Sequence, residues 1–188
     1  MPIRKGQILG EGYRLIHPLK VGRFTQVWLG RSMSSGEQVA IKILEIERVP
    51  RLRAERFRRE MKIVSSLDHR NICKVFDAGQ TGGGLYFFVM PMLIGRPLSE
   101  VLKERSLDVQ RVIDIASQVL SGLEAAHKAR IVHRDVKPSN IFITRNIPGR
   151  SDGRVKLIDF GISKALNSAA RLTDTGVAIG TVHYMSPE

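Results

Sequence analysis

The chain has 188 residues, 43% of them apolar, with a formal net charge of +12 at neutral pH. This is enough apolar material to bury a core in one domain or two small lobes, which excludes a disordered tail. A single cysteine excludes an internal disulfide framework, no apolar run approaches a membrane span, and Met1-Pro2-Ile3-Arg4-Lys5 leads into no signal-peptide core, so a cytoplasmic chain without a membrane segment is expected.

In chain order, Tyr13 to Leu19, Phe24 to Leu29 and Gln38 to Leu44 are short β-prone runs. Gly22 and Ser34-Ser35-Gly36-Glu37 separate them, as in an antiparallel meander. Ile72 to Ala78 and Leu85 to Val89 supply two more strands, joined by the turn-like Gln80-Thr81-Gly82-Gly83-Gly84. The five strands predict a curled sheet, with Cys73 a small buried side chain in the fourth. Between strands three and four, Arg53 to Leu67 predicts one helix, because Phe57, Glu60, Met61, Val64 and Leu67 share a face at three- and four-residue spacing. The densest basic cluster, Arg48 to Lys62, alternates with glutamates over this stripe. It reads as a solvated face, or as a surface for an acidic protein partner, and no nucleic acid is expected.

After Pro91-Met92-Leu93-Ile94-Gly95 the pattern turns helical. Val109, Val112, Ile113, Ala116, Val119, Leu120 and Leu123 predict an amphipathic helix from Leu107 to Lys128, with Asp108 near its start. The organisation is α+β. Residues 13–90 form a strand-rich lobe with one helix, 91–95 a hinge where a ligand cleft fits, and 96–188 a helical lobe.

Two motifs carry the chemistry. His133-Arg134-Asp135-Val136-Lys137-Pro138-Ser139-Asn140 precedes the strand-forming Ile141-Phe142-Ile143, and Asp159-Phe160-Gly161 follows Arg154-Val155-Lys156-Leu157-Ile158. Each polar group is therefore held at a strand end. Asp135 suits accepting a proton from an attacking hydroxyl, and Lys137 suits neutralising a phosphoryl group in transfer. Asn140 and Asp159 offer hard oxygen ligands for a Mg²⁺ that bridges phosphates. His133 reads as a packing residue, and Phe160 as a side chain packed between the lobes.

In the first lobe, Ala40 and Lys42 of Val39-Ala40-Ile41-Lys42 share a strand face, so Ala40 leaves room for a planar base while Lys42 reaches phosphates. Glu60 is an anomaly on an apolar stripe. Either it lies at the stripe's edge or it pairs with a cation such as Lys42. The hairpin from Leu19 to Val27 is expected over the nucleotide, with Gly22 admitting close approach of backbone N–H groups to phosphates.

With these residues in this order, the chain resembles a eukaryotic-type serine/threonine protein kinase from about Tyr13 to Glu188, most like the bacterial members of that family. The resemblance implies a bilobal fold whose N-lobe has a five-stranded antiparallel sheet and one regulatory helix. It also implies transfer of the γ-phosphoryl group of Mg-ATP to serine or threonine hydroxyls of protein substrates. Lys42 matches the family's phosphate anchor, Glu60 its partner, Asp135 the catalytic aspartate, and Asn140 and Asp159 the metal ligands. Leu19, Lys20, Val21 and Gly22 fall in the phosphate loop, and Val27, Ala40 and Phe142 would sandwich adenine. Met90 falls at the gatekeeper, with Pro91, Met92 and Leu93 giving backbone contacts to the base. Lys137 and the run Gly180 to Glu188 resemble serine/threonine rather than tyrosine kinases, with Thr181 bracing Asp135 and Lys137. Arg134 implies regulation by phosphate at Thr173 or Thr175.

Two departures from the family pattern stand out. Lys20 and Thr25 occupy positions where the family's loop has glycines, which predicts a stiffer loop. The sequence ends with the Ser-Pro-Glu element at Glu188, which predicts an incomplete helical C-lobe and an under-covered apolar face on the helix from Leu107 to Lys128. Both keep a second expectation open, a catalytically impaired pseudokinase that binds nucleotide or a regulatory partner.

Overall fold

The computed structural model describes residues 3–10, 12–22, 25–44, 64–81, 84–145, 155–160 and 184. Alternating apolar residues in the first ninety positions form six strands: β1 (Ile8–Leu9), β2 (Tyr13–Val21), β3 (Thr25–Ser32), β4 (Gln38–Leu44), β5 (Asp77–Gln80) and β6 (Tyr86–Pro91). They make one antiparallel sheet in the order β1-β2-β3-β4-β6-β5. The two-residue β1 thus joins the five predicted strands at the sheet edge.

Period-2 alternation gives this sheet two different faces. Val39, Ile41 and Ile43 of β4 and Phe87 and Val89 of β6 pack with Leu9, Leu15 and Trp28 on one side. Ile41 and Ile43 are fully buried, a burial that stabilises by about 1.5–3 kcal/mol for each side chain. The intervening residues Ala40, Lys42, Phe88 and Met90 face the other side, toward the second lobe.

The fourth predicted strand is only partly a strand. Of the run Ile72 to Ala78, only Asp77 and Ala78 lie in β5. Ile72 instead forms a parallel bridge with Leu157, and Ile72, Cys73 and Val75 are buried. The β-prone residues are there because they fill the core between the lobes, a role with the same local pattern as a strand. The predicted helix from Arg53 to Leu67 lies mostly outside the described residues, including Phe57, Glu60 and Met61. Its described end places Val64 and Leu67 in the core.

A second sheet, in the order β7-β8-β9, joins Gly95–Pro97, Ile141–Thr144 and Val155–Leu157 antiparallel. Two helices accompany it, α1 (Leu98–Glu104) and α2 (Val109–Lys128). Gly95, at φ 154°, is required where the hinge meets β8, since a Cβ there would lie 2.1 Å from the Ile143 carbonyl oxygen.

Helix α2 starts two residues later than predicted because Asp108 caps it, its Oδ1 accepting the Arg111 N–H at 2.8 Å. Much of the predicted stripe is uncovered, as expected for this helix, and the buried face is a neighbouring one. Ile115, Val119, Gly122 and Ala126 are buried, whereas Val109, Val112, Ile113 and Leu120 are exposed and so is Ala116. The helix carries two overlapping apolar stripes, and the one containing Gly122 allows the closer approach to β9. No described helix is long and apolar enough to cross a membrane.

Candidate active site

Strand β4 delivers Lys42 and the chain after β9 delivers Asp159. Their charged groups meet across the lobes, Nζ to Oδ1 at 2.8 Å, with side chains 12% and 32% exposed. Taking a lysine this far from water is costly without such a partner. Glu60, the predicted partner of Lys42, lies outside the described residues. Asp159 has φ 60°, a left-handed conformation that aspartate tolerates better than most residues and that surrounding contacts must hold.

Those contacts come from the loop before β8. The Ile158 N–H donates to the Asn140 carbonyl at 3.0 Å, and His133 Nε2 donates to the Ile158 carbonyl at 3.1 Å. His133 Nδ1 accepts the Asp135 N–H at 3.3 Å, which fixes the Nε2-protonated tautomer. The ring is buried and lies against Phe160 with centroids 4.6 Å apart. Burial holds its pKa below the usual histidine value, against the opposing pull of the Ile158 carbonyl. His133 is therefore neutral and structural, as its packing role in the sequence predicts.

Pro138 to Asn140 form a 3-10 turn that brings three polar side chains together. Asp135 Oδ2 accepts from Lys137 Nζ at 2.9 Å and from Asn140 Nδ2 at 2.9 Å. Asn140 Nδ2 also reaches the Asp135 carbonyl at 2.8 Å. Because Nδ2 is committed to Asp135, Oδ1 is the atom Asn140 would offer a cation. Among the described residues no group of three or more His, Cys, Asp or Glu side chains is placed to hold a metal. One Asn and one Asp oxygen fit a hard ion that takes its remaining ligands from phosphates and water.

A cavity between the lobes is lined by Lys42, Cys73, Phe88, Met90, Asp159 and Phe160, among others. Burial pushes the Cys73 thiol up to about 12, so it is an apolar wall group at neutral pH. Of the predicted nucleotide residues, Lys42 and Met90 line this cavity. Register places Val27 opposite Lys42 and Ala40 opposite Met90, on the face turned toward the second lobe. Leu19, Lys20 and Val21 end β2 and are exposed. Gly22, also exposed, donates its N–H to the Thr25 carbonyl at 2.9 Å, closing the hairpin. Met92 follows β6, half-buried, and Phe142 sits in β8 opposite Pro97 and Lys156; neither lines the cavity.

Sequence reasoning missed the wall residues Cys73, Val75 and Phe88 as part of this cavity. Phe88 had a signal, since it falls two positions from Met90 on a strand and shares its face.

Comparison with known proteins agrees with this geometry. Residues 13–188 match the family model described as protein kinase domain. The chain is 38% identical over 195 residues to the serine/threonine-protein kinase PknA of Mycobacterium tuberculosis, covering 100% of this chain and 43% of that protein. It is 35% identical over 185 residues to the serine/threonine-protein kinase PrkC of Bacillus subtilis, covering 97% of this chain and 27% of that protein. The chain thus spans less than half the length of these curated relatives. The crystal structure of the M. tuberculosis PknI kinase domain superposes with a TM-score of 0.72 at 25% identity, covering 90% of this chain and 69% of that one. On its motifs, its two-lobed fold and this match, the chain belongs to the eukaryotic-type serine/threonine protein kinase family, alongside its bacterial members.

Proposed function

We propose that this site transfers the γ-phosphoryl group of ATP to a serine or threonine hydroxyl of a protein. The observation that carries the proposal is the Lys42–Asp159 pair at 2.8 Å, which joins the nucleotide-facing strand to the segment after β9, itself bonded through the Ile158 N–H to the loop that clusters Asp135, Lys137 and Asn140. We assign residues 13–90 to the N-lobe, 91–95 to the hinge and 96–188 to the C-lobe.

Lys42 orients the α- and β-phosphates, and Glu60 is its proposed partner. Leu19, Lys20, Val21 and Gly22 cover the phosphates. Val27, Ala40 and Phe142 enclose the base, with Met90 behind it and Met92 at the hinge. Asn140 and Asp159 would hold Mg²⁺, which supplies charge neutralisation across the phosphates. Asp135 accepts the proton of the incoming hydroxyl as its oxygen bonds to phosphorus and the bond to the ADP oxygen breaks. Lys137 and Asn140, both on Oδ2, hold that carboxylate in place, so its main work is to aim the hydroxyl in line. Lys137 also lies where charge accumulates on the transferring group.

Arg134, exposed and at φ 63°, is the proposed receptor for a phosphate on Thr173 or Thr175. Those two threonines, with Thr181, lie outside the described residues. Use of ATP places the domain on the cytoplasmic side.

Transfer of label from γ-labelled ATP to a protein acceptor, measured beside Asp135→Asn, tests the proposal. Label in the unaltered chain and its loss in the variant supports it, and equal signals contradict it. Lys20 and Thr25, where the family's loop has glycines, favour a second reading of nucleotide binding without turnover, in which calorimetry shows binding while no label moves.

A further inference from the structure

The strand that delivers Asp159 is only three residues long, and one of its edges pairs with β8. The other edge is closed by the backbone of residues 71–73, through the bridge between Ile72 and Leu157, and by two side chains from distant segments. Asn71, 2% exposed, donates from Nδ2 to the Val155 carbonyl at 2.9 Å and to Gln118 Oε1 at 3.1 Å. The same Gln118 oxygen accepts the Val155 N–H at 3.0 Å. The Asn71 carbonyl accepts the Leu157 N–H at 2.7 Å, and the Leu157 carbonyl accepts the Cys73 N–H at 2.8 Å.

Gln118 is itself oriented, its Nε2 donating to Asp114 Oδ1 at 3.1 Å. One turn along α2, Gly122 permits the contact, since a Cβ there would lie 2.9 Å from Leu157 Cδ1 and 3.1 Å from the Asn71 carbonyl. Every backbone polar group of Val155, Leu157 and Ile158 is therefore tied to a named partner just before Asp159 takes up its left-handed backbone.

We infer that Asn71 and Gln118 are positioning residues that hold β9 in register so that Asp159 meets the metal-bound nucleotide. Neither touches reacting atoms. Gln118 Oε1 is the keystone because it satisfies two donors at once, and its removal leaves Asn71 Nδ2 short of a partner and the Val155 N–H without one. The loosened strand then shifts or samples other positions, and a displacement of an ångström at Asp159 is enough to weaken its hold on a metal.

The inference rests on the kinase reading of Asp159, and the test separates the two. Calorimetry on the full chain measures affinity for ATP with Mg²⁺ and with chelator, in the unaltered protein, in Gln118→Met and in Gln118→Glu combined with Asp114→Asn. Gln118→Met keeps the length of the side chain but loses the acceptor, and is expected to lose at least fivefold of the Mg²⁺-dependent gain in affinity. Its affinity for metal-free nucleotide stays within twofold. Gln118→Glu with Asp114→Asn keeps both acceptances, with the amide at position 114 now donating to the new carboxylate in place of the Gln118 Nε2 bond, and is expected to retain the gain. A full Mg²⁺ gain in Gln118→Met overturns the inference, as does an equal loss with and without metal, which marks general loosening. Absence of any nucleotide binding by the unaltered chain overturns the kinase reading, and the inference with it. Hydrogen exchange on the unaltered chain adds a test that needs no variant to fold. Protection at the Val155 and Leu157 amides is expected to rise more with Mg-ATP than with metal-free ATP, and equal protection overturns the inference.

Discussion

The Lys42–Asp159 pair gives the prediction most open to measurement. At 2.8 Å the Coulomb attraction between unit charges is about 6 kcal/mol for an effective dielectric near 20. Burial of Lys42, 12% exposed against 32% for Asp159, offsets several kcal/mol of this through lost hydration. The net coupling lies between an exposed pair and a buried one, at about 1–3 kcal/mol. Lys42→Met preserves the side-chain stem, and Asp159→Asn tolerates the left-handed backbone at that position. Urea unfolding of both single variants and the double variant closes the cycle. If the single effects add to within about 0.5 kcal/mol, the pair is not coupled and the interlobe contact has been misjudged. Lys42→Met is also expected to lower kcat/KM by about 100- to 1,000-fold, the usual effect of removing one preorganised electrostatic contact.

Three further outcomes follow from individual side chains. Burial depresses the His133 pKa below its ordinary 6.5, so the unfolded chain takes up a proton that the folded chain refuses. The His133 contribution to stability is full above that value and declines as pH falls toward the folded pKa; a His133→Gln chain with an unchanged acid slope in its urea midpoint contradicts this. Cys73, with its thiol pushed up to about 12, is expected to resist iodoacetamide at neutral pH when folded and to react once unfolded, as mass spectrometry reads directly. Gly95→Ala is expected to destabilise by about 2–4 kcal/mol, since the new Cβ meets the Ile143 carbonyl at 2.1 Å in a positive-φ backbone; an unchanged thermal midpoint refutes the packing of the hinge.

Much of the first lobe was legible because strand alternation is local. The shared face of Ala40 and Lys42, and the cap at Asp108, need only a few neighbouring residues to be read. The polar cluster was legible for a different reason: Asp135, Lys137 and Asn140 lie within one short loop, so their spacing nearly dictates their meeting. On α2 the under-covered apolar face was legible, since Val109, Val112, Ile113 and Leu120 are exposed, but the stripe that is buried was not, because two apolar stripes overlap on that helix and the partner surface at Asn71 and Leu157 selects the one with Gly122. The segment from Ile72 to Phe76 has a strand's composition, yet its side chains serve the interlobe core. The partnership of Lys42 with Asp159, and that of Asn71 with Gln118 and Val155, join residues remote in sequence. No local pattern encodes them.

Phosphoamino-acid analysis of a protein acceptor labelled from γ-labelled ATP tests phosphoryl transfer by this site most directly. Label is predicted on serine or threonine, carried there by the unaltered chain and absent with Asp135→Asn. Label that persists at the same level with Asp135→Asn, or label confined to tyrosine, contradicts the assignment of Asp135 and Lys137 to transfer onto aliphatic hydroxyls.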